Sequence, residues 1–301
     1  MYKITNLTKD YIKPLLPERP KDGNKGTFGS VLNIAGSLEL PGAAVLSSLA
    51  ALRAGAGKVW LASTSSVIQI TAAQAPDITY IDLGENNLGT LPKDAWKFIE
   101  DDYDAVSIGC GLGVDADTTN FLNNFLKNYL ESQTPVIVDA DAINILAVQK
   151  RPALPLNSII TPHPLELSRL TDIEVEEIQK DRVKATWEAA KHFDCIVLLK
   201  GQESVIAVPN GEIYVNTTGN SALAKAGTGD VLTGMIAGFC AQGVNLEKSA
   251  ALSVYLHGLA GEIAAKSLTE YGVLASNLLN YVPQAIKETL AQPFTFEGTQ
   301  P

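Results

Sequence analysis

Gly227-Thr228-Gly229-Asp230 is the segment of this 301-residue chain whose residue types and spacing point most directly to chemistry. Its glycines stand just ahead of VLTGMIAGFCAQ, a small and apolar run predicted to be helical. Glycines there let the backbone approach a ligand closely. The start of a helix then offers unpaired N–H groups and the positive end of a dipole. Such a place suits a phosphate, or the charge that develops on a phosphoryl group in transfer. Asp230 has two readings. It is an N-cap carboxylate, or it is a general base that takes the proton of a substrate hydroxyl as the oxygen attacks phosphorus. The sequence contains no GxxxxGK[ST] string, so an ordinary P-loop is excluded.

Other candidates follow short apolar runs. Gly36 through Ala44 is a glycine-containing turn between a strand and a helix. Gly109-Cys110-Gly111-Leu112-Gly113 places three glycines at a strand end, where a bulky ligand needs room. Asp139 and Asp141 flank Ala140, and buried carboxylates there need partners or a cation. For Asp141, capping of the helix AINILAVQ is the plain reading, and a place near a metal or substrate the other. Thr161-Pro162-His163-Pro164-Leu165-Glu166 and Lys200-Gly201-Gln202-Glu203-Ser204 close two further strands. Taken alone, His163 reads as a loop residue and Lys200 as a lysine that snorkels to the surface. His192 near a helix end and His257 among apolar neighbours read as structural.

The elements that must position these residues repeat as strand, glycine turn and helix. VLNIA (31–35), KVWLA (58–62), AVSIG (105–109), PVIVD (135–139), SIIT (158–161) and CIVLLK (195–200) are short, rich in Val and Ile, and do not alternate with polar residues. That pattern predicts parallel strands buried on both faces. Helices are expected over 43–55, 117–131 and 175–193, and later over 229–241, 247–268 and 275–290. Residues 204–216 predict a hairpin around Pro209-Asn210-Gly211. The alternation argues for an α/β sandwich, in which ligands bind at the carboxyl ends of strands. No repeat, linker or boundary divides the chain, so one domain is expected, and the tail FTFEGTQP adds little to a core.

Composition narrows the partners. With 23 Lys+Arg against 33 Asp+Glu the net charge is 23 − 33 = −10, which disfavours nucleic acid and anionic membranes. Hydrophobic residues at 46% and charged residues at 19% describe a globular chain. Cys110, Cys195 and Cys240 form no CxxC pair and read as reduced thiols. The first residues carry no apolar run suited to a signal peptide, and no stretch reaches the roughly 18–20 apolar residues of a span. A cytoplasmic location is expected.

AGTGD followed by a small-residue helix resembles the anion-hole motif of ribokinase-like kinases. With Gly219-Asn220 and Leu223-Ala224 ahead of it, the longer string is similar to the ADP/ATP-dependent NAD(P)H-hydrate dehydratases of that superfamily. Residues 25–59, GCGLG (109–113) with PVIVDADAINIL (135–146), and IITPHPLELSRL (159–170) extend the resemblance in order. It implies a ribokinase-like three-layer sandwich with a mostly parallel central sheet flanked by helices. It also implies the stand-alone dehydratase form, with no epimerase domain ahead of residues 1–301. The implied reaction transfers a phosphoryl group from ADP, less readily ATP, to the 6-hydroxyl of (6S)-NADHX or (6S)-NADPHX. Phosphate then leaves and NAD(P)H is restored.

The same resemblance assigns roles. Asp230 is the base, and the amides of Gly227, Thr228, Gly229 and Asp230 hold the developing charge. Ala44, Gly111 and His163 shape the hydrate pocket with Asp230, and Gly113 is an alternative to Gly111. Lys200, Gly201, Gln202, Glu203, Ser204 and Gly229 hold the nucleotide. Glu166 reaches Mg²⁺ through water. A homo-oligomer, a tetramer, is implied, with the apolar C-terminal helices as a subunit contact. Many relatives carry His where Asn24 stands, and Pro where Cys110 stands.

Two other functions fit the same features. A small-molecule kinase shares the fold and GTGD, but thiamine-precursor kinases often carry Cys at the place of Asp230, and sugar kinases generally lack TPHP. A nucleotide sensor without turnover is opposed by the intact Asp230.

Overall fold

Each of the six apolar runs forms a strand at the centre of one sheet, and two strands not expected from the sequence join it. The computed structural model describes residues 2–100, 102–149 and 152–291. The strands are β1 (Lys3–Leu7), β2 (Ser30–Ile34), β3 (Lys58–Ser63), β4 (Thr79–Asp82), β5 (Ala105–Ile108), β6 (Val136–Val138), β7 (Ser158–Ile160), β8 (Ile196–Leu199), β9 (Val205–Ala207) and β10 (Glu212–Asn216). The helices are α1 (Lys9–Ile12), α2 (Pro41–Ala54), α3 (Ser65–Ala72), α4 (Ala116–Asn128), α5 (Asp141–Ala147), α6 (Pro164–Thr171), α7 (Val175–Lys180), α8 (Arg182–Phe193), α9 (Thr228–Ala241), α10 (Leu246–Gly272) and α11 (Ala275–Leu290).

Among the described residues the strands form one ten-stranded sheet, ordered β1-β10-β9-β8-β7-β6-β5-β2-β3-β4. Every neighbouring pair is parallel except those of β9, which is antiparallel to both β8 and β10. β5, β6 and β7 are buried at every position, which is why their sequences do not alternate. One apolar cluster packs α2, α9, α10 and α11 on one face, and a second packs α4, α5, α6 and α8 on the other. The result is the expected ribokinase-like three-layer arrangement. The β8–β9 turn and the loops after β2, β5, β6, β7 and β10 share one edge.

Some boundaries differ from expectation. The helix predicted over 175–193 is two helices, because Asp181 takes an extended conformation (φ −145°, ψ 76°) and its side chain accepts from the Lys184 N–H. β1, β4, α3 and α6 were not predicted; each is short, and its formation depends on neighbours. The regular part of α10 breaks at Thr269 (φ 61°, ψ 160°), next to the expected end. Most of α10 is buried within the chain, so its apolar length is accounted for without a subunit contact. The tail 294–301 lies outside the described residues. Among the described residues no helix is long and apolar enough to cross a membrane.

The contact that places the site is between α2 and α9. A Cβ at Gly234 would lie 2.0 Å from the Ser47 carbonyl oxygen, and one at Gly238 would lie 2.5 Å from that of Ala51. Two glycines one turn apart thus let α9 rest directly on the backbone of α2. Below this contact, Asn33 Nδ2 donates to Ser47 Oγ and Ser48 Oγ, each at 2.8 Å, and Ser107 Oγ donates to Asn33 Oδ1 at 2.9 Å. A buried amide with its bonds made ties α2 to β2 and β5 at little desolvation cost. Gly234→Ala is expected to force the helices apart and to lower stability by about 1–3 kcal/mol, read as a lower urea midpoint with an unchanged slope.

Candidate active site

The glycine-led helix start is formed as its sequence implies. Gly227 is the N-cap of α9 with φ +91°, a left-handed conformation suited to glycine, and Thr228 is the first helical residue. The cap makes no side-chain hydrogen bond. The capping reading of Asp230 is therefore wrong. Its carboxylate lies in the first turn but is not used to close the helix end. Thr228 Oγ1 donates to the carbonyls of Leu223 and Lys225, at 2.9 and 3.0 Å. Its own carbonyl receives His257 Nε2 at 2.9 Å. A carbonyl only accepts, so His257 carries its proton on Nε2. Burial pushes its pKa down to about 4, which keeps the ring neutral. His257 is structural, as expected, and braces the start of α9 from α10.

Beneath this turn is a buried ion pair. Lys200 Nζ donates to Asp139 Oδ1 at 2.6 Å, and Thr233 Oγ1 donates to Asp139 Oδ2 at 2.6 Å. The Ala140 N–H adds a third bond to Oδ1, at 2.8 Å. Asp139 is 1% exposed and the Lys200 side chain 19%, so Lys200 does not snorkel to the surface. Burial alone would lower the Lys200 pKa, but the charges of Asp139 and Glu166 outweigh it and hold it above the ordinary value. A Cβ on Gly229 would stand 3.5 Å from Lys200 Nζ. The ammonium therefore lies against the first turn of α9.

Two neighbouring carboxyls are raised as well, which for them favours the neutral form. Burial, then the charge of Asp139, raises Asp230 to about 6, against the pull of Lys200. Burial raises Glu166 to about 7, again opposed by Lys200, 3.9 Å away. Carboxyls displaced from their usual range beside a cleft are the mark of a functional site. Glu166 also completes a capping box at the start of α6. The His163 N–H donates to Glu166 Oε2 at 2.7 Å, and the Glu166 N–H donates to His163 Nδ1 at 3.2 Å. His163 is thus the N-cap of α6, with its ring half exposed. Burial first, and then the charge of Lys200, lowers its pKa.

Asp141 is not the N-cap of α5; Ala140 is. The Asp141 carboxylate instead accepts the Gly113 N–H at 2.9 Å and holds the GCGLG loop. Cys110 in that loop is 1% exposed. Burial and the charges of Asp230 and Asp139 push its thiol well above the usual range, so it is no nucleophile.

A cleft of about 900 Å³ opens above α9. It gathers His163, Lys200, Gly201, Gln202, Glu203, Ser204, Thr228 and Gly229 from the sequence-derived set. Ala44, Gly111, Glu166, Gly227 and Asp230 do not line it. Ala44 is fully buried against Gly36, and Gly111 packs on Leu40 and Ala43. Those two lie where α2 begins, on the Cys110 side of Asp230. The sequence reading missed Asn216, Thr217, Thr218, Ser221 and Lys225 on the cleft wall, and Thr233 beneath it. Asn216 ends β10 and Thr217 and Thr218 directly follow it, so the strand-end rule would have found all three.

Fold and site together define a ribokinase-like protein. A ribokinase-like superfamily protein from Enterococcus faecalis V583 superposes with a TM-score of 0.82 at 29% identity, over 96% of this chain and 97% of that one. Within that class the chain belongs to the NAD(P)H-hydrate dehydratase family, whose model matches residues 31–284. It is 36% identical over 285 residues to the ADP-dependent (S)-NAD(P)H-hydrate dehydratase of Bacillus subtilis strain 168, covering 93% of this chain and 97% of that protein. The crystal structure of the B. subtilis ADP/ATP-dependent NAD(P)H-hydrate dehydratase, co-crystallised with ATP/Mg²⁺, matches with a TM-score of 0.82 at 35% identity, over 94% and 97% of the two chains. The chain spans about half the length of the bifunctional NAD(P)H-hydrate repair enzymes it matches, 53% of the one from Moorella thermoacetica, to which it is 39% identical over 288 residues and 93% of this chain.

The far wall of the cleft rests on α10 through glycines. A Cβ at Gly258 would fall 2.2 Å from Thr218 Oγ1, and one at Gly261 would fall 2.7 Å from the Leu223 side chain. Thr218 Oγ1 also donates to the Tyr255 carbonyl at 2.8 Å. Gly258→Ala is expected to push Thr218 off α10 and to lower stability by about 1–3 kcal/mol, read as a lower urea midpoint with an unchanged slope.

Proposed function

We propose that the chain catalyses nucleotide-dependent dehydration of (6S)-NAD(P)HX to NAD(P)H, with residues 1–301 acting as one ribokinase-like unit. One observation carries the reading: a partly buried carboxylate, Asp230, stands in the first turn of α9 near the Lys200 ammonium, free of capping duty. Asp230 takes the proton of the 6-hydroxyl, whose oxygen attacks the terminal phosphorus of the nucleotide. The bond from that phosphorus to its bridging oxygen breaks. The C6–O bond then breaks, inorganic phosphate departs, and loss of a proton from the adjacent ring carbon re-forms the double bond. The logic is that hydroxide leaves poorly and phosphate leaves well.

The amides of Gly227, Thr228, Gly229 and Asp230 stabilise charge on the transferring group. Gly201, Gln202, Glu203 and Ser204 hold the nucleotide with Gly229, and Lys200 stands near its phosphates. Ala44 and Gly111 shape the pocket for the hydrated ring on the Cys110 side of Asp230, and His163 reaches it from the cleft that holds the nucleotide. ADP is the preferred donor, in keeping with the name of the B. subtilis relative. Cytoplasmic location and a homotetramer belong to the same proposal.

Mg²⁺ would join through the nucleotide. It takes one or two carboxylates, keeps several waters and leans on substrate phosphates. Among the described residues no group of three or more His, Cys, Asp or Glu side chains gathers as a cage. Asp139 already accepts three hydrogen bonds. Glu166, 4% exposed behind Lys200 and His163, is the carboxylate left to reach the ion through water. When bound, the ion neutralises charge on the nucleotide phosphates.

Absorbance at 340 nm tests the activity, with NADHX, Mg²⁺ and either ADP or ATP: recovery of NADH supports it, and no recovery with either nucleotide rejects it. Asp230→Asn is expected to lower kcat by about 10²–10⁴-fold while ADP still binds in calorimetry. Full turnover in that variant would remove Asp230 from the base role. The base must be ionised, and Asp230 protonates as pH falls through about 6. The kcat/KM profile for NADHX is therefore expected to lose activity on its acid side near that value, and a limb near pH 4 would show an unperturbed carboxyl.

A further inference from the structure

We infer that Asp139 is a positioning residue, whose buried carboxylate fixes the Lys200 ammonium under the first turn of α9 so that Lys200 serves the transferring phosphoryl group rather than nucleotide affinity. The kinetic half of this inference rests on the repair reading above; the anchoring half does not.

Three observations carry it. First, the carboxylate is aimed. Ala140, just after Asp139, has φ 50° and ψ −119°, a conformation L residues rarely adopt. Across from it, a Cβ on Gly109 would fall 1.8 Å from the Asp139 carbonyl oxygen. The chain bends sharply there and turns the Asp139 side chain under α9. Second, the carboxylate joins the cation to the catalytic helix. Thr233, one turn beyond Gly229, donates to Oδ2, and Lys200 donates to Oδ1, both at 2.6 Å. Third, the other end of Lys200 is fixed too, because its backbone N–H donates to the Pro162 carbonyl at 2.9 Å. A long flexible stem is thereby held at both ends, with Nζ against Gly229.

The charges explain why this arrangement favours the transition state. An ammonium paired with a carboxylate offers little net charge to a resting nucleotide, so affinity depends on it weakly. A donor already fixed beside the helix start needs no reorganisation when charge develops on the transferring group. Unfastened, Lys200 would be free to turn toward Glu166, 3.9 Å away, or toward Asp230.

The test is a double-mutant cycle with Asp139→Asn, Lys200→Met and the pair. Each single variant is expected to lower kcat at least about 20-fold with ADP affinity held within about threefold, and the double variant is expected to be no slower than Lys200→Met. Multiplying losses would show that Asp139 acts independently of Lys200 and would overturn the inference. An ADP affinity that falls in step with kcat would also overturn it. If Asp139→Asn fails to fold, Thr233→Val, which removes one bond to the carboxylate and keeps its charge, replaces it in the same cycle.

A readout without turnover comes from ¹⁵N-lysine NMR of the wild-type chain. The Lys200 ammonium is expected to give a signal protected from solvent exchange, and to lose it in Asp139→Asn or Thr233→Val. Survival of that signal in both variants would overturn the anchoring. A wild-type chain that shows the protected signal and restores no NADH would support the anchoring and reject the repair reading.

Discussion

The backbone contact of α9 with α2 sets the distance on which the site depends. Both helices begin at the same edge of the sheet, so the gap between their axes is also the gap between their N-termini. Gly234 and Gly238 make that gap as small as a carbonyl oxygen allows. At the open end, a Cβ on Gly227 would meet Leu46 at 2.7 Å, and one on Gly111 would meet Ala43 at 2.9 Å. Asp230, the amides at the start of α9 and the turn of the GCGLG loop are therefore placed by backbone packing, not by long side chains. The amide of Asn33, buried between α2 and the sheet, makes the same layer polar and specific where a purely apolar contact could slide.

Around that junction three carboxyls, two buried and one partly buried, share one ammonium. Asp139 is the partner that satisfies Lys200. Glu166 and Asp230 are left with more burial than compensation, and their pKa values rise to about 7 and about 6. Removing charges from water is costly unless they are paired and hydrogen-bonded, and this site leaves part of that cost in place. Carboxyls whose environments differ take different protonation states at one pH. A readily protonated Asp230 stands in the same cluster as the Lys200–Asp139 pair.

Much of this was legible in the sequence. The sheet could be read because its central strands are buried on both faces and therefore lack alternation. GTGD, GCGLG, TPHPLE and KGQES could be read because each is a strand end or a helix start with distinctive residues. The edge strands β1 and β4 were not legible, since a strand of four or five residues with exposed positions takes its form from the neighbour it pairs with. The break at Asp181 left the apolar spacing of 175–193 nearly intact and so was hidden. Asp230 and Asp141 each carried a capping alternative for one reason: Asp is a common cap, and only the fold shows that Gly227 and Ala140 hold those positions. Thr233 and His257 had no local signal at all. One acts through a carboxylate 94 positions away in sequence, the other through a carbonyl 29 positions away.

The strand β1 gives the chain a handle on its far side. It runs parallel to β10, and so in the direction of every strand but β9. It therefore starts at the end of the sheet remote from the cleft and finishes beside it, where the Leu7 carbonyl accepts Thr217 Oγ1 at 2.7 Å. A carrier, tag or second folded unit grafted ahead of Lys3 departs from the back of the molecule and leaves the mouth of the cleft clear. Tension applied through such a graft would run along β1 and reach the loop at the cleft wall, making that edge a mechanical lead into the site.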